Sequence, residues 1–206
     1  MTTTPARRRR SDGERSRAAI LTAAGKLATV DGLEGLTIGR LAGHIGMSKS
    51  GLYAHFGSKE ELQLATVAAA EQLFDEDVIV PASREPDGRK RLDALCERFI
   101  AHVQGGVFPG GCFFTSVIAE FDTRPGAVRD RVATYIANWF GHLRAAVVAA
   151  QQIGELDAAA EPDQLVFEIQ SALLMANTLW VLSKEPAVFD RARTAIAERL
   201  ARARAA

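Results

Sequence analysis

The stretch Thr37–Phe56, TIGRLAGHIGMSKSGLYAHF, leaves the chain little freedom, because it encodes two short helices joined by a tight turn. Thr37 can cap the first helix with its hydroxyl, and Ile38, Leu41, Ala42 and Ile45 recur at helical spacing to form one apolar face. That helix ends near His44, and Gly46 follows where a residue without a β-carbon takes positive φ at no steric cost. Met47 anchors the turn, and Ser48 is placed to accept from the free N–H groups of a second helix. There Leu52 and Phe56 point inward at four-residue spacing, which leaves Lys49, Ser50, Gly51, Tyr53 and His55 outward.

No carboxylate interrupts that outward face. A polyanion requires such a face, since phosphates are contacted by Lys, Ser, Tyr and helix N-termini, and an acidic side chain subtracts affinity. The pattern therefore predicts a DNA-binding helix-turn-helix rather than a hairpin that only packs in a core. Candidate DNA contacts are Thr37 and Arg40 on the first short helix, Ser48, Lys49, Ser50, Gly51, Tyr53 and His55 on the second, and Lys59 beyond it.

Residues Arg15 to Glu61 resemble the DNA-binding domain of the TetR family of bacterial transcriptional regulators. The resemblance rests on Gly32, Gly35 and Thr37 in Gly-x-x-Gly-x-Thr spacing, the turn glycine, a Tyr-x-His-Phe end to the recognition helix and a Ser-Lys-Glu start to the next. Each piece is weak alone, and the combination is specific. Gly39 and Gly43 inside the first short helix depart from good helix-forming sequence, each costing about 1 kcal/mol against Ala. The resemblance implies a larger helical domain that binds inducers and dimerises, and repression rather than activation.

The formal charge of zero hides an asymmetry. Residues 1–60 hold ten Lys and Arg against five Asp and Glu, and the remainder hold fifteen against twenty. The basic end is drawn to nucleic acid and the acidic remainder is kept off it. The opening MTTTPARRRR has no apolar stretch after it, so it does not read as a secretory signal, and no apolar run reads as long enough to span a bilayer. A cytoplasmic location is expected. Two cysteines give neither a disulfide framework nor a metal-ligand spacing, and no metal or cofactor is expected.

Residues 1–10 lack anything with which to build a core and read as a disordered basic arm. In such an arm Arg7, Arg8, Arg9 and Arg10 are candidates for an adjacent minor groove. A helix is predicted from Ser11 or Asp12 to about Val30, which together with the helix-turn-helix gives a DNA-binding domain at 11–57. Ser58 and Glu61 form a capping box opening a connecting helix at 58–80, and Pro81–Gly88 reads as a linker. Beyond it, at 81–206, the pattern is helical with no period-two alternation, so the chain is predicted all-α.

Phe99, His102, Cys112, Phe113, Trp139, His142 and Phe167, with Phe108, Phe114, Phe140 and Asn138 in the same group, supply apolar walls and a few polar groups, and are the candidate lining of a small-molecule pocket. The helix from Pro162 to Leu182 is apolar on nearly every side in its second half, which predicts burial all round. With the last helix it could form an intermolecular four-helix bundle, for which Leu173, Trp180, Phe189, Ile196 and Leu200 are the candidate interface. Cys112, read as lying in the first turn of a helix, offers a thiolate for redox or electrophile sensing. Cys96 reads as core.

The resulting expectation is a ligand-responsive repressor that binds a near-palindromic duplex operator as a homodimer and is released by a small-molecule effector. Alternatives are a thiol-sensing regulator using Cys112, an effector-independent architectural DNA-binding protein, or a Cys-dependent enzyme. The last is disfavoured because no positioned base, Gly-x-Ser-x-Gly or phosphate loop occurs.

Overall fold

A computed structural model describes residues 5–121, 123 and 125–205, with side chains from Ser16 onward. Among these residues there is no strand. The fold is all-α, with a small helix-turn-helix unit at the N-terminal end and a larger helical unit after it.

The reading head forms for local reasons. Helix α1 (Pro5–Asp31) runs into a loop that carries Leu33 and Leu36, both fully buried. Helix α2 (Ile38–Ile45) is capped by Thr37, whose hydroxyl accepts the Arg40 N–H at 3.2 Å, and it buries Ile38, Leu41 and Ala42. Gly46 closes it in the left-handed region at φ 70°, and the Met47 N–H reaches back to the Ala42 carbonyl at 3.0 Å. Helix α3 (Lys49–Phe56) is capped by Ser48 and anchored by buried Leu52 and Phe56.

Helix α4 (Lys59–Phe74) begins at Ser58, whose hydroxyl accepts the Glu61 N–H at 3.0 Å. The reciprocal half of the expected capping box is not made, because the Ser58 N–H bonds the Phe56 carbonyl at 2.8 Å instead. After Phe74 the helix widens into a π segment, Asp75–Ile79, followed by a single turn α5 (Val80–Ala82). The widening lies directly ahead of Pro81, which lacks the N–H a regular helix would use there. Helical backbone therefore extends to Ala82, and the break expected from Pro81 starts at Ser83.

Helices α6 (Arg89–Gly105), α7 (Phe113–Phe121), α8 (Ala127–Gln152), α9 (Pro162–Ser183) and α10 (Ala187–Arg202) complete the chain. Phe74 is the hub of the larger core: its ring meets Phe99, His102, Phe114, Tyr135 and Trp139 edge-on, at centroid separations of 5.3–6.2 Å. Arg193 clamps Glu97 at 2.9 Å, and Arg199 pairs with Glu168, so α10 is tied to both α6 and α9.

Three expectations change. Helix α1 starts at Pro5, a residue suited to a first helical turn, rather than at Ser11 or Asp12; the side chains of Arg7, Arg8, Arg9 and Arg10 lie outside the described residues. Helix α9 is not buried all round. Leu165, Val166, Ile169, Leu173, Ala176 and Asn177 face inward, whereas Phe167, Leu174, Met175, Leu179 and Leu182 stay exposed. That helix is also long and apolar enough to cross a membrane by length and composition, a test that the core helix of a soluble protein passes equally.

Candidate functional site

The face predicted to meet a polyanion is built by α2 and α3. The Ser48 hydroxyl accepts the Gly51 N–H at 3.1 Å and lies 3.3 Å from the Ser50 hydroxyl. Lys49, Ser50 and Tyr53 are exposed, with Tyr53 at 56%. His55 is half-buried, and its carbonyl is held by Arg17 Nη1 at 3.1 Å while the Arg17 guanidinium lies 4.7 Å from the Phe56 ring centroid. This contact braces the C-terminal end of α3 on α1.

The cations on this face differ in their engagement. Arg40 is paired with Asp31 at 2.8 Å and Lys59 with Glu34 at 2.7 Å, so both brace the α1–α2 loop. Among the described residues Lys49 has no carboxylate partner, and its stem crosses α2 at Gly39, where a β-carbon would come within 3.2 Å of Lys49 Cε. Gly39, a poor helix former, thus gives Lys49 room to lie against α2.

A carboxylate from the larger domain reaches into the same region. Glu120, near the end of α7, accepts the Leu33 N–H at 3.1 Å with one oxygen and the Glu34 N–H at 3.0 Å with the other. Gly32, at φ 85°, leaves room for it, since a β-carbon there would lie 2.8 Å from Glu120 Oε2. The Leu33 carbonyl is taken by buried Gln63 of α4 at 2.7 Å. The loop that sets α2 relative to α1 is therefore held from both α7 and α4.

The other end of α7 borders a chamber of about 120 Å³ between α7, α8 and α9. Phe74, Phe114, Tyr135, Ile136 and Trp139 form its apolar walls. Cys112, Thr115 and Gln170 bring polar atoms, and exposed Ile118, Phe140 and Leu174 surround its mouth. Trp139 donates its indole N–H to Gln170 Oε1 at 2.8 Å, and the Tyr135 hydroxyl donates to Asp75 Oδ1 at 2.6 Å. Burial, and then the Asp75 carboxylate, push the Tyr135 hydroxyl pKa far above the ordinary phenol value, so it remains protonated.

Of the residues expected to line a pocket, Cys112, Phe114, Trp139 and Phe140 border this chamber. Phe99, His102 and Phe113 are buried in the core beside it, with His102 Nδ1 2.8 Å from Asp77 Oδ2. His142 borders a separate open groove on α8 with Asp75 and Asn138. Phe167 is 67% exposed on the outside of α9 and is removed from the lining set. Sequence reasoning missed Phe74, Thr115, Tyr135 and Gln170. Phe74 was hidden because it sits on the connecting helix, and Gln170 because a lone amide in an apolar helix carries no pattern.

The interface set is corrected as well. Leu173, Phe189, Ile196 and Leu200 are all buried within the single chain, and Trp180 is half-buried against Phe189 at 5.3 Å. None of the four presents a surface to a second molecule; the exposed apolar residues of α9 lie on its opposite side.

Cys112 precedes α7 instead of occupying its first turn, and its N–H is bonded to Asn177 Oδ1 at 2.8 Å. The thiol is 2% exposed, and burial pushes its pKa up, which removes the thiolate that a sensor needs. Burial likewise pushes the Cys96 thiol up to about 12. Iodoacetamide at pH 7 is expected to label neither cysteine in folded protein and both after unfolding, as read by intact mass. Rapid single labelling of Cys112 would restore the sensing alternative.

Residues 20–66 match the family model described as bacterial regulatory proteins, tetR family, and residues 88–196 match the tetracyclin repressor-like C-terminal domain. A TetR transcriptional regulator from Chloroflexus aurantiacus J-10-FL superposes with a TM-score of 0.85 at 25% identity, covering 95% of this chain and 100% of that one. AibR, solved with isovaleryl coenzyme A and operator DNA, superposes at 0.66 with 26% identity, covering 78% of this chain and 85% of its own. A TetR-family regulator from Cytophaga hutchinsonii shares the fold at 0.78 and 19% identity, covering 92% of this chain and 95% of that one. No curated protein matches the sequence.

Proposed function

The chain belongs to the TetR family of bacterial transcriptional regulators, and on that premise we propose that it is a repressor released from its operator by a small-molecule effector. The observation that carries the reading is the carboxylate of Glu120: one short helix, α7, borders the chamber at its start and holds the α1–α2 loop near its end. An occupant that displaces α7 acts on the loop positioning α2, and hence α3. The switch is a population shift, in which the effector binds the released arrangement more tightly by about 1.4 kcal/mol for each tenfold loss of operator affinity.

In this proposal residues 11–57 read DNA, the helix over 58–80 connects, and residues 81–206 bind effector and dimerise in the cytoplasm. Lys49, Ser50, Gly51 and Tyr53 enter the major groove or touch its phosphates, with Thr37 and His55 at the margins, and Arg7 to Arg10 follow an adjacent minor groove. Arg40 and Lys59 offer phosphates the donors that Asp31 and Glu34 leave free, with part of their charge already answered by those carboxylates. Two copies joined through the exposed face of α9 place two α3 helices on half-sites about 34–36 Å apart.

The test is selection of genomic fragments by purified protein at near-physiological salt. A few enriched sites sharing an inverted repeat support the reading; retention without shared sequence favours the architectural alternative and overturns it. On a selected site, Lys49→Ala is expected to reduce the slope of log K against log salt by about 1 if Lys49 contacts phosphate. An unchanged slope with altered base preference would place Lys49 on a base edge.

A further inference from the structure

We propose that the chamber takes a neutral molecule about the size of one aromatic ring that carries a single accepting oxygen, the class represented by aromatic ketones and aldehydes. The inference rests on the effector-responsive reading above and names the chemistry of that effector.

Size is the first constraint. At about 120 Å³ the chamber is of the order of apolar cavities, about 150 Å³, that hold a benzene ring, and well below the roughly 300–1,000 Å³ of sites for larger ligands. Charge is the second. Among the described residues no Asp, Glu, Lys, Arg or His side chain borders the chamber, so an ionised ligand would lose its hydration there with no compensating partner among them.

The third constraint is a donor with a fixed direction. An indole N–H can only donate, so Trp139 Nε1 at 2.8 Å requires the oxygen of Gln170 to face it. This fixes the amide and turns Nε2 away from Trp139. Among the described residues Nε2 has no partner, and it is not sealed from solvent, since no buried side-chain nitrogen or oxygen is left unpaired. Gln170 borders the chamber, and on this proposal its Nε2, whose orientation is already set, is the N–H donor beside aromatic surface from Phe74, Phe114 and Tyr135. A ring fills the apolar volume, and one carbonyl oxygen answers the donor.

The test uses four probes on the intact protein: acetophenone, ethylbenzene, benzoate and isovaleryl coenzyme A. Binding is read from Trp139 fluorescence in a Trp180→Phe background, and release from retention on a selected operator fragment. Acetophenone is expected to bind about tenfold more tightly than ethylbenzene, the worth of one hydrogen bond, and the two anions are expected not to bind. Gln170→Glu keeps an acceptor for Trp139 but removes the donor, so the preference for the ketone should collapse while ethylbenzene binding persists. Equal affinity for ketone and hydrocarbon in the parent, or tighter binding of either anion, overturns the proposal. Binding of acetophenone without release from the operator supports the chamber's ligand class and overturns the effector reading. Release by an anion with no change in Trp139 fluorescence does the reverse.

Discussion

Met175→Glu is expected to yield a folded monomer whose affinity for a full operator is at least about 100-fold below the parent, because tethering two reading heads multiplies affinity by about 10² to 10⁴. Met175 is 56% exposed in the middle of an α9 face that also carries Phe167, Leu174, Leu179 and Leu182. A charge there costs the isolated chain little, within roughly 0.5 kcal/mol for a surface position, yet it places two carboxylates in a self-complementary contact. Sedimentation at micromolar concentration checks the first half and titration on a full site against a half-site the second. A Met175→Glu protein that still dimerises would move the interface off α9. Leu200→Glu is the instructive contrast, since Leu200 is fully buried and its replacement should unfold the chain rather than dissociate it.

Glu120→Gln is expected to weaken operator binding about tenfold, and to lower the effect of any releasing ligand correspondingly, while leaving dimerisation intact. The substitution preserves shape but turns one accepting oxygen into a donor, so either the Leu33 or the Glu34 N–H, now 3.1 and 3.0 Å from the carboxylate, faces another N–H. Leaving one partly buried donor unpaired costs about 1–3 kcal/mol. Operator titration with and without ligand, beside thermal unfolding, makes the measurement. A parent-like response would show that α7 does not communicate through this contact.

What could be read in advance followed the range of the interactions. The Thr37, Ser48 and Ser58 caps and the left-handed Gly46 are set by neighbours within a few residues, and each was legible as a local pattern. The facing of α9 was not, because apolar residues occur on both of its sides and periodicity cannot tell an inner leucine such as Leu173 from an outer one such as Leu174. The same ambiguity misplaced Phe167 in the lining set and Leu200 on the surface. Glu120 was invisible for a different reason: its partners lie 86 and 87 residues away, and a single carboxylate near the end of a short apolar segment carries no periodic signal. Gly32 was read as part of a motif, and only the fold shows that its missing side chain is where Glu120 lies.

The π segment after α4 has an angular consequence. Leu62, Thr66, Ala70, Phe74, Val78 and Ala82 are all buried and recur every four residues. In a helix of about 3.6 residues per turn, each four-residue step overshoots a full rotation by about 40°, so the stripe winds steadily around the axis. A wider turn, closed by bonds from residue i to i+5, undershoots instead, and the step from Phe74 to Val78 takes place there. Asp75–Ile79 thus acts as a phase correction: it halts the winding at the point where Phe74 enters the chamber wall. Val78 and Ala82 can then keep their packing in the larger domain while Leu62 and Thr66 keep theirs beneath the reading head.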